Sequence, residues 1–169
     1  NFTGVVFIFM ALPLFVVPWM EERLSTTVPD TVTLEDHVVI ASYTDRSQKL
    51  LDELNTRGVP YVLIESDRDV AASLARDGET VILGNPTAVE TLERANVGAA
   101  RTLVADIGDE ANASVALAAS EWAPDVDVLT FVEDPDIAEY HEYAGADIVF
   151  SPRHLVADSL AAKVTSGVD

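Results

Sequence analysis

Three small hydroxyl residues, Ser42, Thr44 and Ser47, stand at the spacing of a Gly-x-Gly-x-x-Gly turn. They follow the apolar run His37 to Ala41 and precede a helical pattern that opens at Arg46. In a turn of this spacing, glycines let the backbone take positive φ and approach a pyrophosphate, which the first turn of the helix then holds. Serine and threonine can donate hydrogen bonds to a phosphate, but they cannot shrink to hydrogen, and positive φ strains them. Asp45 adds a negative charge beside the place a phosphate would take, and Arg46 follows it with a charge that could offset it. An acid, Glu65, lies 18 residues after Ser47. That is close to the distance at which such an acid meets a ribose. The chemistry written here is nucleotide binding with an altered phosphate turn. The candidate contacts are Ser42, Tyr43, Thr44, Asp45, Arg46 and Ser47 in the turn and Glu65 and Ser66 after it. Asp106, further along, either lies over the crevice floor or caps its own turn. Glu65 reads equally as a ribose ligand or as an acid ending a strand, and Asp67 as the N-cap of the next helix.

Other chemistry finds little support. His37, His141 and His154 are scattered and form no metal motif. Glu133, Asp134, Asp136 and Glu139 cluster, but without the ligand spacing of a calcium loop, and read as a solvated acidic face. No nucleophile, acid/base pair or Ser-His-Asp order stands out, so no catalytic or metal site is expected. With no cysteine, disulfides and thiolate chemistry are excluded.

The elements that must position the turn repeat regularly. Short runs rich in Val, Ile and Leu at 37–41, 60–65, 80–83, 101–105, 128–132 and 147–150 predict strands buried on both faces. Helices are predicted between them at 46–57, 68–77, 87–95, 110–122, 135–143 and 153–165. Leu50, Leu51 and Leu54 give the first an apolar stripe, and Val70, Ala71, Leu74 and Ala75 the second. Gly58 and Gly78 stand just past helix ends. This alternation predicts an α/β fold: a doubly wound, Rossmann-like, parallel sheet of six strands, with its ligand crevice where strand order reverses.

Phe2 to Met20 is an uncharged run of 19 residues, followed by Glu21, Glu22 and Arg23. As a helix it would span ~28 Å, about one bilayer core, with Trp19 at an interface and bends at Pro13 and Pro18. Residues 1–24 are therefore expected to be the C-terminal part of a transmembrane helix, and 25–36 a linker. The chain carries 29 acids against 10 bases, a net charge of −19, and its only lysines are Lys49 and Lys163. Such a surface repels nucleic acid. Dispersed acidity with little lysine is what a halophile's surface looks like.

Several motifs follow in order between His37 and Val156: His37-Val-Val-Ile, RGVPYVLIE ending at Glu65, and Gly84-Asn-Pro-Thr87. Leu92-Glu-Arg-Ala-Asn-Val97, Asp134-Pro135, Ala144-Gly-Ala-Asp147 and Ser151-Pro152 continue the series. On these the chain resembles the RCK domain, the TrkA-N type nucleotide-binding regulator of prokaryotic potassium channels and Trk potassium-uptake systems. The resemblance implies an RCK N-terminal lobe over 37–156, then a crossover helix over 157–169 toward a C-terminal lobe. It also implies a cytoplasmic gating domain at the cell membrane, assembled as a homodimer or larger ring, beside a pore for potassium ion outside this segment. Of the site, it implies that Asn85 stands where the family carries Asp, and Phe131 where many relatives carry Arg. NAD or an adenine nucleotide (ATP or ADP) is the implied ligand. Both departures, with the missing glycines, point toward a weakened or lost site. The alternatives are a sensor that still binds through a modified turn and, on the same fold, an NAD-dependent oxidoreductase.

Overall fold

A computed structural model describes residues 28–166. The expected transmembrane run 2–20 lies outside the described residues, as does the first part of the expected linker. Among the described residues no helix is long and apolar enough to cross a membrane.

The six strands are β1 Val38–Ala41, β2 Tyr61–Glu65, β3 Val81–Leu83, β4 Thr102–Ala105, β5 Asp127–Phe131 and β6 Ile148–Phe150. All pair in parallel, in the order β3-β2-β1-β4-β5-β6. This is the predicted doubly wound sheet, and its order reverses between β1 and β4. Alternate residues of each strand face opposite sides. Val39, Ala41, Val62, Ile64, Leu103 and Ala105 enter one core cluster, while Val38, Ile40, Leu63 and Val104 enter the other. Burial on both faces is why these strands read as unbroken apolar runs.

The helices are α1 Asp45–Arg57, α2 Arg68–Arg76, α3 Val89–Arg94, α4 Asp109–Trp122, α5 Ala138–Tyr143 and α6 Pro152–Ser166. Leu51 of α1 and Ala71 and Leu74 of α2 close one face. Leu92 of α3 and Val115, Ala116 and Ala119 of α4 close the other. Gly58 ends α1 in the left-handed conformation, φ 66°. Asp67 caps α2 as expected, accepting from the N–H groups of Asp69 and Val70.

Two helices begin later than predicted. Asn85 Oδ1 accepts from the Thr87 N–H, holding residues 85–87 in a turn, so α3 starts at Val89. Asp134 caps a single 3-10 turn at Pro135–Ile137, and α5 follows it. The boundary expected after Val156 falls inside α6, whose residues are exposed from Arg153 onward.

Gly84 closes the turn after β3. Its N–H donates to Glu65 O at 2.9 Å. A Cβ there would lie 2.6 Å from both Cγ2 and Oγ1 of buried Thr91. Gly84→Ala is therefore expected to destabilise the chain by about 1–3 kcal/mol, read as a lower urea midpoint with unchanged slope. Adding Thr91→Ala should recover part of the loss.

Candidate functional site

The crevice lies at the carboxyl ends of β1 and β4, the reversal point where ligands of such sheets bind. Ser42 leaves β1 with φ 85°, so a serine adopts the conformation that the first glycine of the turn would supply. Its N–H continues the ladder to Ile64 O at 2.8 Å. A non-glycine residue held there carries backbone strain, kept by the bonds on either side of it.

The rest of the turn is bonded to itself. The Tyr43 N–H donates to Glu65 Oε2 at 3.2 Å. Thr44 is the N-cap of α1, in a reciprocal capping box with Ser47. The Thr44 N–H donates to Ser47 Oγ at 2.6 Å, and the Ser47 N–H to Thr44 Oγ1 at 3.1 Å. Only the N–H groups of Asp45 and Arg46 remain as first-turn donors not engaged in this way. In an intact turn these backbone donors would face a pyrophosphate.

Charge follows the same pattern. Asp106, just past β4, is 3 % exposed. It accepts from Thr44 Oγ1 at 2.8 Å and from the Arg46 fork, Nε at 3.0 Å and Nη2 at 2.6 Å. Arg46 Nη1 donates to Glu133 Oε1 at 2.7 Å beyond β5. These bonds raise the Arg46 pKa above its ordinary value, with the hydrogen bond to Asp106 the largest cause and that to Glu133 the next. The guanidinium also sits 5.2 Å from the centre of the Phe131 ring. Phe131 in turn meets Phe150 edge-on, centroids 5.6 Å apart. Thus Arg46 does not serve Asp45, as its sequence position suggested; Asp45 is exposed and Arg46 turns across the crevice to Asp106.

Glu65 is buried at the end of β2, where a ribose acid belongs. Its Oε1 accepts from the Asp67 N–H at 2.8 Å, so both carboxylate oxygens hold loop backbone. Ser66 is exposed beside it. Asn85 is exposed and bonded within its own turn. The fold brings Thr44, Arg46 and Asp106 together, and Tyr43 with Glu65, to which the Ser66 hydroxyl adds a long bond of 3.5 Å at Oε1; Asp45 and Asn85 make no bond into either group.

Asn112 was not singled out from the sequence. It is buried in α4, accepts from the N–H groups of Ile107 and Gly108, and donates to Phe131 O at 2.8 Å. It fixes the loop that carries Asp106 against the end of β5. The available signal was an amide on the apolar side of an alanine-rich helix.

Of the histidines, His37 donates from Nε2 to Ala95 O at 3.1 Å, and His141 pairs through Nδ1 with Thr130 Oγ1 at 3.0 Å. Burial pushes the His141 pKa below its ordinary value. Both are buried, while His154 is exposed on α6 near Asp158. Among the described residues no group of three or more His, Asp or Glu is placed to hold a metal ion.

The profile of the TrkA-N domain family matches residues 38–152. "Potassium channel protein 1" of Methanocaldococcus jannaschii is 25% identical over 133 residues, covering 77% of this chain and 40% of that protein. The "Trk system potassium uptake protein TrkA homolog" of Methanothermobacter thermautotrophicus is 33% identical over 118 residues, covering 69% of this chain and 54% of that protein. The solved "GsuK channel bound to NAD" superposes with a TM-score of 0.74 at 26% identity, covering 88% of this chain and 27% of that one. The chain spans about half the length of the curated relatives it matches.

Two measurements test the geometry of the turn. A double-mutant cycle of Arg46→Met and Asp106→Asn is expected to show a coupling of about 1–3 kcal/mol, because Asp106 is buried and bonded twice to the same fork. The exposed pair of Arg57 with Glu53 should couple by at most about 0.5 kcal/mol. Equal couplings would mean that Arg46 does not hold the crevice. Ser42→Gly is expected to raise stability by about 0.5–1 kcal/mol, since relief of the left-handed backbone exceeds the extra freedom of glycine in the unfolded chain. Ser42→Ala should bring no gain.

Proposed function

The chain belongs to the TrkA-N domain family, and we propose that it is the regulatory lobe of a potassium channel or related potassium transporter. On this reading the lobe stands on the cytoplasmic side of the membrane and acts by assembling with further copies into a gating unit. Its relatives support the setting, being a potassium channel protein, a Trk uptake protein and a channel with such a domain. None of them is an oxidoreductase, and the chain is read as a regulator rather than an enzyme.

One observation carries the emphasis on assembly over ligand sensing. Most donors a phosphate would need are engaged within the chain: the N–H of Tyr43 by Glu65, those of Thr44 and Ser47 by each other, and the Arg46 guanidinium by Asp106 and Glu133, which leaves the backbone N–H groups of Asp45 and Arg46. A pyrophosphate that drew on the Arg46 side chain would have to displace a buried carboxylate from it. Asp106 would then be left without its cation, which is costly for a buried carboxylate.

The second reading is a sensor that binds NAD, ATP or ADP through the modified turn. Buried Glu65 at the end of β2 favours it, as does the NAD bound to the related GsuK channel. Ligand sensing of that kind works only if the nucleotide prefers one arrangement of the assembly over another.

Titration of the full chain with NAD, NADH, ATP and ADP, followed by melting temperature, separates the two. A ligand at 100 times its dissociation constant adds ~2.7 kcal/mol, a readily seen upward shift. No shift at saturating millimolar nucleotide is expected. A shift of that size with any of the four would overturn the reading in favour of the sensor. Light scattering that found only monomers at every concentration would sink the assembly role itself.

A further inference from the structure

Residues 28–36, which lead into β1, have no regular structure yet are fastened to the lobe. The Val32 N–H donates to Arg94 O at 3.0 Å, and the Asp36 N–H to Ala99 O at 2.8 Å. Asn96 Nδ2 donates to Leu34 O at 2.8 Å. Arg101 grips Asp36 with two bonds, 2.8 and 2.7 Å. Val32 and Leu34 pack on one core cluster and Val28 on the other. An irregular segment with backbone bonds, a side-chain clasp and half-buried apolar residues is a docked strap.

Arg94, the last residue of α3, connects this strap to something else. Its Nε donates to Asp30 O at 2.7 Å, and its Nη2 lies 3.2 Å from Asp30 Oδ1. Its Nη1 donates to Leu83 O at 3.0 Å. Leu83 ends β3, an edge strand of the sheet, and the next residue, Gly84, donates its N–H to Glu65 O. Glu65 then holds the Tyr43 and Asp67 N–H groups at the crevice. A guanidinium is planar and rigid, so its bonds on one side constrain its bonds on the other; an ammonium point charge would not carry this geometry.

We propose that Arg94 is a positioning residue that couples the strap, residues 28–36, to the β3 edge of the crevice, so that displacement at either end is passed to the other. The regulatory meaning of this coupling rests on the reading of the chain as a regulatory lobe. The coupling itself does not, and its test involves neither nucleotide nor transport.

The test is residue-resolved amide hydrogen exchange on the full chain in detergent micelles. In the wild type, the Val32 and Asp36 amides are expected to be protected. Arg94→Gln should speed exchange at Val32 and at Gly84 together, by about tenfold, while Val39 and Leu103 stay unchanged. The reciprocal variant, Asp30→Ala with Val32→Ala, alters only the strap and should also speed exchange at Gly84, because coupling is mutual. It decides the matter alone if Arg94→Gln does not fold. Arg101→Gln loosens Asp36 without reaching β3 and should leave Gly84 unchanged. Strap amides that exchange at free-chain rates in the wild type would overturn the proposal. So would a Gly84 amide that responds to neither the Arg94 variant nor the strap variant.

Discussion

The grip of Arg46 on Asp106 is the contact on which the crevice depends. In a doubly wound sheet the chain leaves β1 toward one face and β4 toward the other, so their carboxyl ends part and open a gap. A gap lined by strand ends is rich in backbone polar groups, and these need partners. A bound ligand is one solution. This chain has another, in which a buried carboxylate from the β4 loop meets a hydroxyl and a guanidinium from α1. Neither half is stable without the other. Asp106 without Arg46 is a buried acid beside one hydroxyl, and Arg46 without Asp106 has no anchor reaching β4. Glu133 and the Phe131 ring extend the same guanidinium to β5, so one side chain ties the ends of three neighbouring elements.

That view changes what the missing glycines mean. Glycines at this turn serve close approach of backbone to pyrophosphate. If no pyrophosphate approaches, small hydroxyl residues bring an advantage, because they can cap the helix themselves. Thr44 and Ser47 do so reciprocally, satisfying two orphan donors of α1. The exception is Ser42, where the tight exit from β1 still imposes positive φ. The positive φ of such a turn is thus kept at Ser42, while the N–H groups of Tyr43, Thr44 and Ser47 are bonded within the chain. That shape also sets how β1 connects to α1, whether or not a ligand is held.

Much of the fold was legible because its signal is periodic. Strands buried on both faces must be apolar throughout, and each of the six was placed within a residue or so at either end. The later starts of α3 and α5 were less legible because they hinge on single side chains, Asn85 and Asp134, that bind backbone locally. The site residues could be named from spacing, yet their partners could not. Arg46 and Asp106 are 60 residues apart, and their meeting depends on β1 and β4 being neighbours. Asn112 was missed for a related reason: an amide in a helix has a role only once the loop it faces is known. The clasp on residues 28–36 was likewise hidden, because a polar segment with a proline has the composition of a free linker whether or not it is docked.

The two fastened regions also stand in a definite mechanical relation. Arg46 restrains the crevice on its β4 and β5 side, and Arg94 restrains the β3 side while holding Asp30. Glu65, between them, takes a backbone donor from the turn after β1 and another from the start of α2. Each restraint is made of groups with few alternatives: a buried carboxylate, a planar guanidinium, an edge carbonyl. Such groups respond to strain by exchanging partners rather than by yielding gradually. A lobe with a soft, solvated crevice would absorb movement of the preceding segment. One whose crevice is closed by its own side chains can instead carry that movement into the sheet, and the assembly role proposed above would call for stiffness of this kind.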